Sequence, residues 1–152
     1  MITTGDTAPD FTLPGTSGDV SLAALRPAPV VLFFYPKDDT STCTIEAIDF
    51  TAQAPAFAKA GALVFGLSKD SLAAHVKFIG KHDLGVALLS DAKADTCERY
   101  GVWVEKTTYG KAYKGIERTT LLIDGSGKVA RAWHKVAIDG HVAEVLAAVQ
   151  AL

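Results

Sequence analysis

Pro36, Thr40 and Cys43 stand in the spacing P-x-x-x-T-x-x-C, and two charged residues, Glu46 and Arg118, are candidates to join them. Cys43 follows the unbroken apolar run Val30-Val31-Leu32-Phe33-Phe34-Tyr35, which Pro36 stops, and an amphipathic pattern begins after Thr42. That order predicts a buried strand, a polar loop and a helix, with Cys43 in the first helical turn. Unpaired N–H groups and the positive end of the helix dipole favour a thiolate there. A thiolate beside hydrogen-bond donors suits attack on an O–O bond, in which the sulfur takes one oxygen and the other departs as hydroxide or alkoxide. Thr40, one turn earlier, offers a hydroxyl that accepts and donates in turn. Pro36, with no N–H, would roof the pocket against bulk water. Arg118 would hold a fixed charge over sulfur and peroxide oxygens, and Glu46, one turn after Cys43, would orient the guanidinium.

The helix end alone is too weak for this. Lowering a thiol pKa from ~8.5 to ~6 needs about 3.4 kcal/mol, against ~0.3 to 2 from a helix N-terminus, so Arg118 must contribute. Most of the rate must then come from positioning the peroxide and stabilising the leaving oxygen. Asp38 and Asp39 oppose a thiolate and are expected to face water.

The elements that must position these residues form one α/β unit over residues 1–152 with no linker or repeat. Asp10–Leu13 and Asp19–Leu22 read as a hairpin around Pro14-Gly15-Thr16-Ser17-Gly18. After the strand at 30–35, the helix from about Thr42 carries Ile45, Ile48 and Ala52 near one stripe, and Pro55 is expected to kink or restart it. A strand at 62–67, a helix at 70–82, a strand at 85–89 and a helix at 91–100 with Gly101 in the stop position follow. Residues 105–117 read as polar and turn-rich. Residues 118–123 and 128–134 read as a hairpin over Asp124-Gly125-Ser126-Gly127, and a last helix from about Asp139 buries Val142, Val145, Leu146 and Val149. The predicted class is a mixed central sheet flanked by helices, a three-layer α/β/α sandwich with an N-terminal β-hairpin.

Composition narrows the function classes. With 17 acidic and 15 basic residues the net charge is −2, which leaves no nucleic-acid footprint. No apolar run is long enough to span a bilayer and no leader pattern opens the chain, so the cytoplasm is the expected address. Two cysteines with no CxxC suit a reducing compartment.

Pro36, Thr40 and Cys43, with Arg118 far along the chain, resemble the active-site signature of the peroxiredoxins. Tyr35-Pro36-Lys37-Asp38-Asp39-Thr40 and Gly115-Ile116-Glu117-Arg118-Thr119-Thr120 look most like the peroxiredoxin Q, or bacterioferritin comigratory protein, branch. The likeness runs from Gly5-Asp6-Thr7-Ala8-Pro9-Asp10-Phe11 through Tyr100-Gly101-Val102-Trp103 to the last helix. It implies a thioredoxin-like fold and a thiol-dependent peroxidase acting on hydrogen peroxide and organic hydroperoxides, with no metal or organic cofactor. Thioredoxin, glutaredoxin or a small thiol would be the reductant, and the chain would be a monomer or a dimer.

Attack leaves a sulfenic acid that a second thiol must resolve. Many members of the branch carry that cysteine five residues later, where Ile48 stands, and others in the following helix, near Ile79. Only Cys97 remains. It is either a small apolar filler or an atypical resolving thiol that needs local unfolding to come within roughly 7 Å of its partner. A one-cysteine cycle with an external thiol is the preferred expectation.

Other constellations are weaker. Thr40-Ser41-Thr42-Cys43-Thr44 also resembles a flavodoxin-type phosphate or flavin cradle, though it lacks glycine and has Asp38 and Asp39 nearby. A Cys43, His134, Asp139 hydrolase lacks a glycine elbow. His75 and His82, two turns or about 10 Å apart, cannot share an ion, and His134 and His141 are expected to be solvated. Trp103 and Trp133 read as half-buried packing residues, and Lys106 to Lys114 as a surface connection or a mobile loop bordering the pocket.

Overall fold

The computed structural model describes residues 1–152, and its centre is a five-stranded mixed sheet in the order β5-β4-β3-β8-β9. β3 (Val30–Phe34) pairs in parallel with β4 (Leu63–Ser68), and β4 with β5 (Ala87–Ser90). On its other side β3 pairs antiparallel with β8 (Thr119–Ile123), which pairs antiparallel with β9 (Val129–Trp133). All five residues of β3 and of β8 are buried, as expected for strands covered on both faces.

Side-chain alternation along β3 divides the core in two. Val31 and Phe33 face α1 (Ser41–Lys59), α2 (Leu72–His82) and α4 (His141–Gln150), through Phe50, Phe57, Phe78 and Val145. Leu32 and Phe34 face the other way, onto Phe11, Leu13, Tyr100 and Val102. That second face is covered by the N-terminal hairpin of β1 (Thr12–Leu13) and β2 (Val20–Ser21), and by the single-turn α3 (Thr96–Arg99). No helix is long and apolar enough to cross a membrane.

Three local expectations are corrected. First, α1 runs through Pro55 to Lys59 as one helix and does not restart there, with Phe50 and Phe57, on either side of the proline, packed into one cluster. Its buried stripe is Cys43, Glu46, Ala47, Phe50 and Phe57, whereas Ile45 and Ile48 are exposed. The larger aliphatic side chains do not mark the inner face; the i, i+3, i+4, i+7 series that begins at Cys43 does.

Second, the expected helix at 91–100 shrinks to one turn. Asp91 turns back so that its carboxylate accepts hydrogen bonds from the N–H groups of Thr96 (3.1 Å) and Cys97 (2.8 Å). Third, residues 105–117 are no irregular connection. They lie in a separate hairpin, β6 (Trp103–Thr108) with β7 (Lys111–Ile116), closed by Tyr109 and Gly110, both with positive φ. Its residues are mostly exposed, so it carries little of the apolar alternation by which strands are recognised.

Candidate active site

Six residues, Tyr35 to Thr40, connect the end of β3 to the start of α1. Thr40 is the N-cap residue of α1, and its carbonyl accepts the first helical bond from Thr44 N–H (2.9 Å). Its side chain does not cap the helix. The Oγ1 hydroxyl instead donates to the Lys37 carbonyl (2.9 Å), so its proton is spent and its lone pairs are left as acceptors. Cys43 thus sits three residues inside the helix, 2% exposed, among N–H groups that have no intrahelical partner.

Arg118 reaches this sulfur because of sheet register. Phe34 on β3 lies opposite Thr119 on β8, so the residue before Thr119 stands beside the end of β3, where the loop leaves the sheet. The guanidinium bridges two groups one turn apart on α1: Nη2 donates to Cys43 Sγ at 3.1 Å and Nη1 to Glu46 Oε1 at 2.7 Å. Glu46 is fully buried and its other oxygen has no partner. Burial outweighs the attraction of Arg118 and raises its carboxyl to about 7. The guanidinium is therefore shared between a sulfur and a carboxyl that is only partly ionised near neutrality.

A second set of groups lies just behind the loop, and only half of it was expected. Asp39 does face water, with a left-handed backbone (φ 60°), and His82 and Lys81 hold its carboxyl below the usual range through bonds of 2.8 and 2.6 Å. Asp38 is buried instead, which corrects the expectation that both aspartates are solvated. It accepts from the Tyr35 hydroxyl (2.6 Å) and pairs with His75 Nδ1 (2.7 Å), while its N–H donates to Asp70 Oδ2 (2.9 Å). Burial first, and Asp38 second, hold the Tyr35 phenol well above its ordinary value, so it remains a donor. Asp38, Asp70 and His75 present ligand atoms within 4.8 Å of one another, yet these atoms are bonded among themselves and to Tyr35 and Ser68. The sequence signal for this cluster was His75 one turn before Phe78 on the inner face of α2.

Other candidates stay apart. Cys97 is 0% exposed and belongs to the opposite core cluster, so the central sheet separates it from Cys43. Burial, then the Asp91 carboxylate, push its thiol up. His141 is buried rather than solvated, with Nε2 2.8 Å from Thr120 Oγ1 and its ring edge-on to Trp133. Burial lowers its pKa. His134 is likewise closed off: both ring nitrogens are buried and unpartnered, so no Cys–His dyad forms. Two roomy cavities, of about 630 and 510 Å³, lie elsewhere, one along Ala56, Lys59 and Val149 and one along Leu13, Leu72 and Lys93.

Comparisons with known proteins converge. The AhpC/TSA family profile matches residues 4–132. A putative Bcp peroxiredoxin of Coxiella burnetii is 51% identical over 146 residues, 95% of this chain and 97% of the relative. The bacterioferritin comigratory protein of Xanthomonas campestris, solved as a trapped intermediate or ligand complex in connection with its alkyl peroxide reduction activity, superposes with a TM-score of 0.87 at 41% identity, covering 93% of this chain and 90% of that one. The peroxidoxin BcpB of Mycobacterium tuberculosis gives a TM-score of 0.87 at 35% identity, covering 100% and 99%.

Proposed function

Since this chain belongs to the AhpC/TSA family, in its Bcp or peroxiredoxin Q branch, and is a thiol-dependent peroxidase of thioredoxin-like fold that reduces hydroperoxides, we propose that Cys43 is the residue that attacks the peroxide. The observation that carries this assignment is the Arg118 guanidinium bridging Cys43 Sγ and Glu46. Arg118 favours the thiolate and presents donors where negative charge develops on the departing oxygen. Thr40, its own proton directed at Lys37, accepts from the hydroperoxide O–H and so aims the O–O bond along the sulfur lone pair. Pro36 closes the loop side of the pocket without adding an N–H. As the S–O bond forms, the O–O bond breaks; Cys43 becomes a sulfenic acid, and the other oxygen leaves as hydroxide or alkoxide and is protonated. No metal or organic cofactor is called for. Hydrogen peroxide is one substrate, and the alkyl peroxide activity of the Xanthomonas relative supports organic hydroperoxides as others.

The cycle closes by a one-cysteine route, in which an external thiol attacks the sulfenic acid directly. The two cysteines lie on opposite faces of the sheet, and Cys97 is fully buried. A disulfide between them would require α1 or the α3 segment to unfold locally. Thioredoxin, glutaredoxin or a small thiol fits the role of reductant, in the cytoplasm.

Intact mass spectrometry with thiol counting after one equivalent of hydrogen peroxide tests the assignment, on wild type and Cys97→Ser. A gain of about 16 Da in both, trapped by a sulfenic-acid reagent at Cys43, is expected. A loss of about 2 Da in wild type, abolished by Cys97→Ser, would instead make Cys97 the resolving thiol.

A further inference from the structure

The loop from Pro36 to Thr40 has little regular backbone pairing to hold it, yet it carries both the proline and the threonine assigned above to the peroxide pocket. What anchors it comes largely from the approach to α2 and from α2 itself. Asp70, just before the helix, receives the Asp38 N–H at 2.9 Å. His75, on the buried face, meets the Asp38 carboxylate at 2.7 Å. Lys81 and His82, in the last turn, hold Asp39 from the outside. Among these contacts the buried one is least replaceable by water, since His75 is 0% exposed.

Both ring nitrogens of His75 have partners, so the ring is held at two ends. Its Nε2 lies 2.8 Å from the Leu89 carbonyl, an acceptor only, so Nε2 carries a hydrogen. Its Nδ1 faces a carboxylate oxygen that already belongs to a group accepting from Tyr35. His75 is therefore bonded through both ring nitrogens, to the Asp38 carboxylate at 2.7 Å and to the Leu89 carbonyl at 2.8 Å. Tyr35, just after β3, and Asp70 from the link before α2 face this pair, and Lys37, Lys77 and Lys81 rim the cleft above it.

We propose that His75, acting through Asp38, is a positioning residue for the peroxidase reaction: it ties the Pro36–Thr40 loop to α2 and to the Leu89 carbonyl on β5, and so fixes Thr40 and Pro36 over Cys43. This rests on Cys43 being the attacking residue. His75 touches neither sulfur nor Arg118; it sets where the peroxide sits. Misplacing a reacting atom by about 1 Å is enough to cost a rate factor of about a hundred.

Two electrophiles separate positioning from thiol reactivity. Hydrogen peroxide needs Thr40 and Pro36 in place, whereas iodoacetamide needs only an ionised, accessible Cys43. His75→Phe should slow the reaction with peroxide by roughly ten- to a hundredfold and leave the rate and pH profile of iodoacetamide alkylation within about twofold of wild type. Asp38→Asn, whose amide can donate to His75 Nδ1 while its carbonyl still accepts from Tyr35, should lose less of the peroxide rate than His75→Phe, again with alkylation unchanged. Should His75→Phe not fold, Tyr35→Phe, which removes one donor to Asp38, carries the same test with an expected severalfold loss confined to peroxide. Equal losses with both electrophiles, or a wild-type peroxide rate in His75→Phe, would overturn the proposal. Peroxide consumption surviving in Cys43→Ser would overturn the site assignment as well, so the two failures are told apart.

Discussion

The two cysteines are almost equally buried, at 2% and 0% exposure, and lie on opposite faces of one sheet. Cys43 sits in the first turn of a 19-residue helix with a guanidinium 3.1 Å from its sulfur. Cys97 sits in a four-residue helix whose first N–H groups are taken by the buried carboxylate of Asp91. Burial alone therefore does not decide whether a thiol reacts. On the proposed assignment the sign of the nearest charge does: a cation beside a thiol favours reaction, and a carboxylate beside a desolvated thiol keeps it protonated.

The largest test of that contrast is to remove each sulfur in turn. Cys43→Ser should lower peroxide turnover by about four orders of magnitude, while Cys97→Ser should hold it within about twofold under an external thiol, as read by peroxide consumption. Turnover lost in Cys97→Ser would erase the distinction between the two faces. Next in size is Arg118→Ala, which should cost about 10²- to 10³-fold in the reaction with peroxide, the usual cost of removing a donor aimed at developing charge. Alkylation of Cys43 should also require higher pH in this variant, and stopped-flow kinetics with an alkylation series reads both.

A third test separates stability from catalysis on the Cys43 face. Because the Glu46 carboxyl is raised from 4.5 to about 7, the folded state binds a proton that the unfolded chain has already lost between those values. Its contribution to stability is full below pH 4.5 and is lost as pH rises through about 7, by at most about 3 kcal/mol. Urea unfolding at a series of pH values should show this decline in wild type and a flatter profile in Glu46→Gln; equal slopes would mean that Arg118 keeps Glu46 ionised throughout. The smallest effect belongs to the other face. Asp91→Ala should cost about 2 kcal/mol through the lost caps of α3 and expose Cys97 to thiol reagents by local opening, without giving it peroxidase activity.

The difference between the two faces also marks what the sequence could tell. The local placement of Pro36, Thr40 and Cys43 was legible because local rules act on them: a strand stopped by proline, an N-cap threonine and a cysteine in the first turn. The central strands and the terminal hairpin and helix were legible for the same reason, through apolar runs and turn residues. The β6–β7 hairpin was not, because its strands are exposed and polar, closed by Tyr109-Gly110 instead of Asn-Gly. The inner face of α1 was misplaced because Ile45 and Ile48 are more apolar than Cys43 and Glu46, yet the helix turns them to solvent. Asp38, adjacent to an aspartate that does face water, gave no local sign of its burial against His75.

The sequence by itself determined a peroxidatic pattern on an α/β chain, because helix caps, strand runs and turns are set by near neighbours. Tertiary structure alone decided that Arg118 reaches both Cys43 and Glu46, that Asp38 and His75 anchor the loop, and that Cys97 lies across the sheet. Those relations join residues tens of positions apart, and they follow from strand register and side-chain alternation, which exist only once the sheet has assembled.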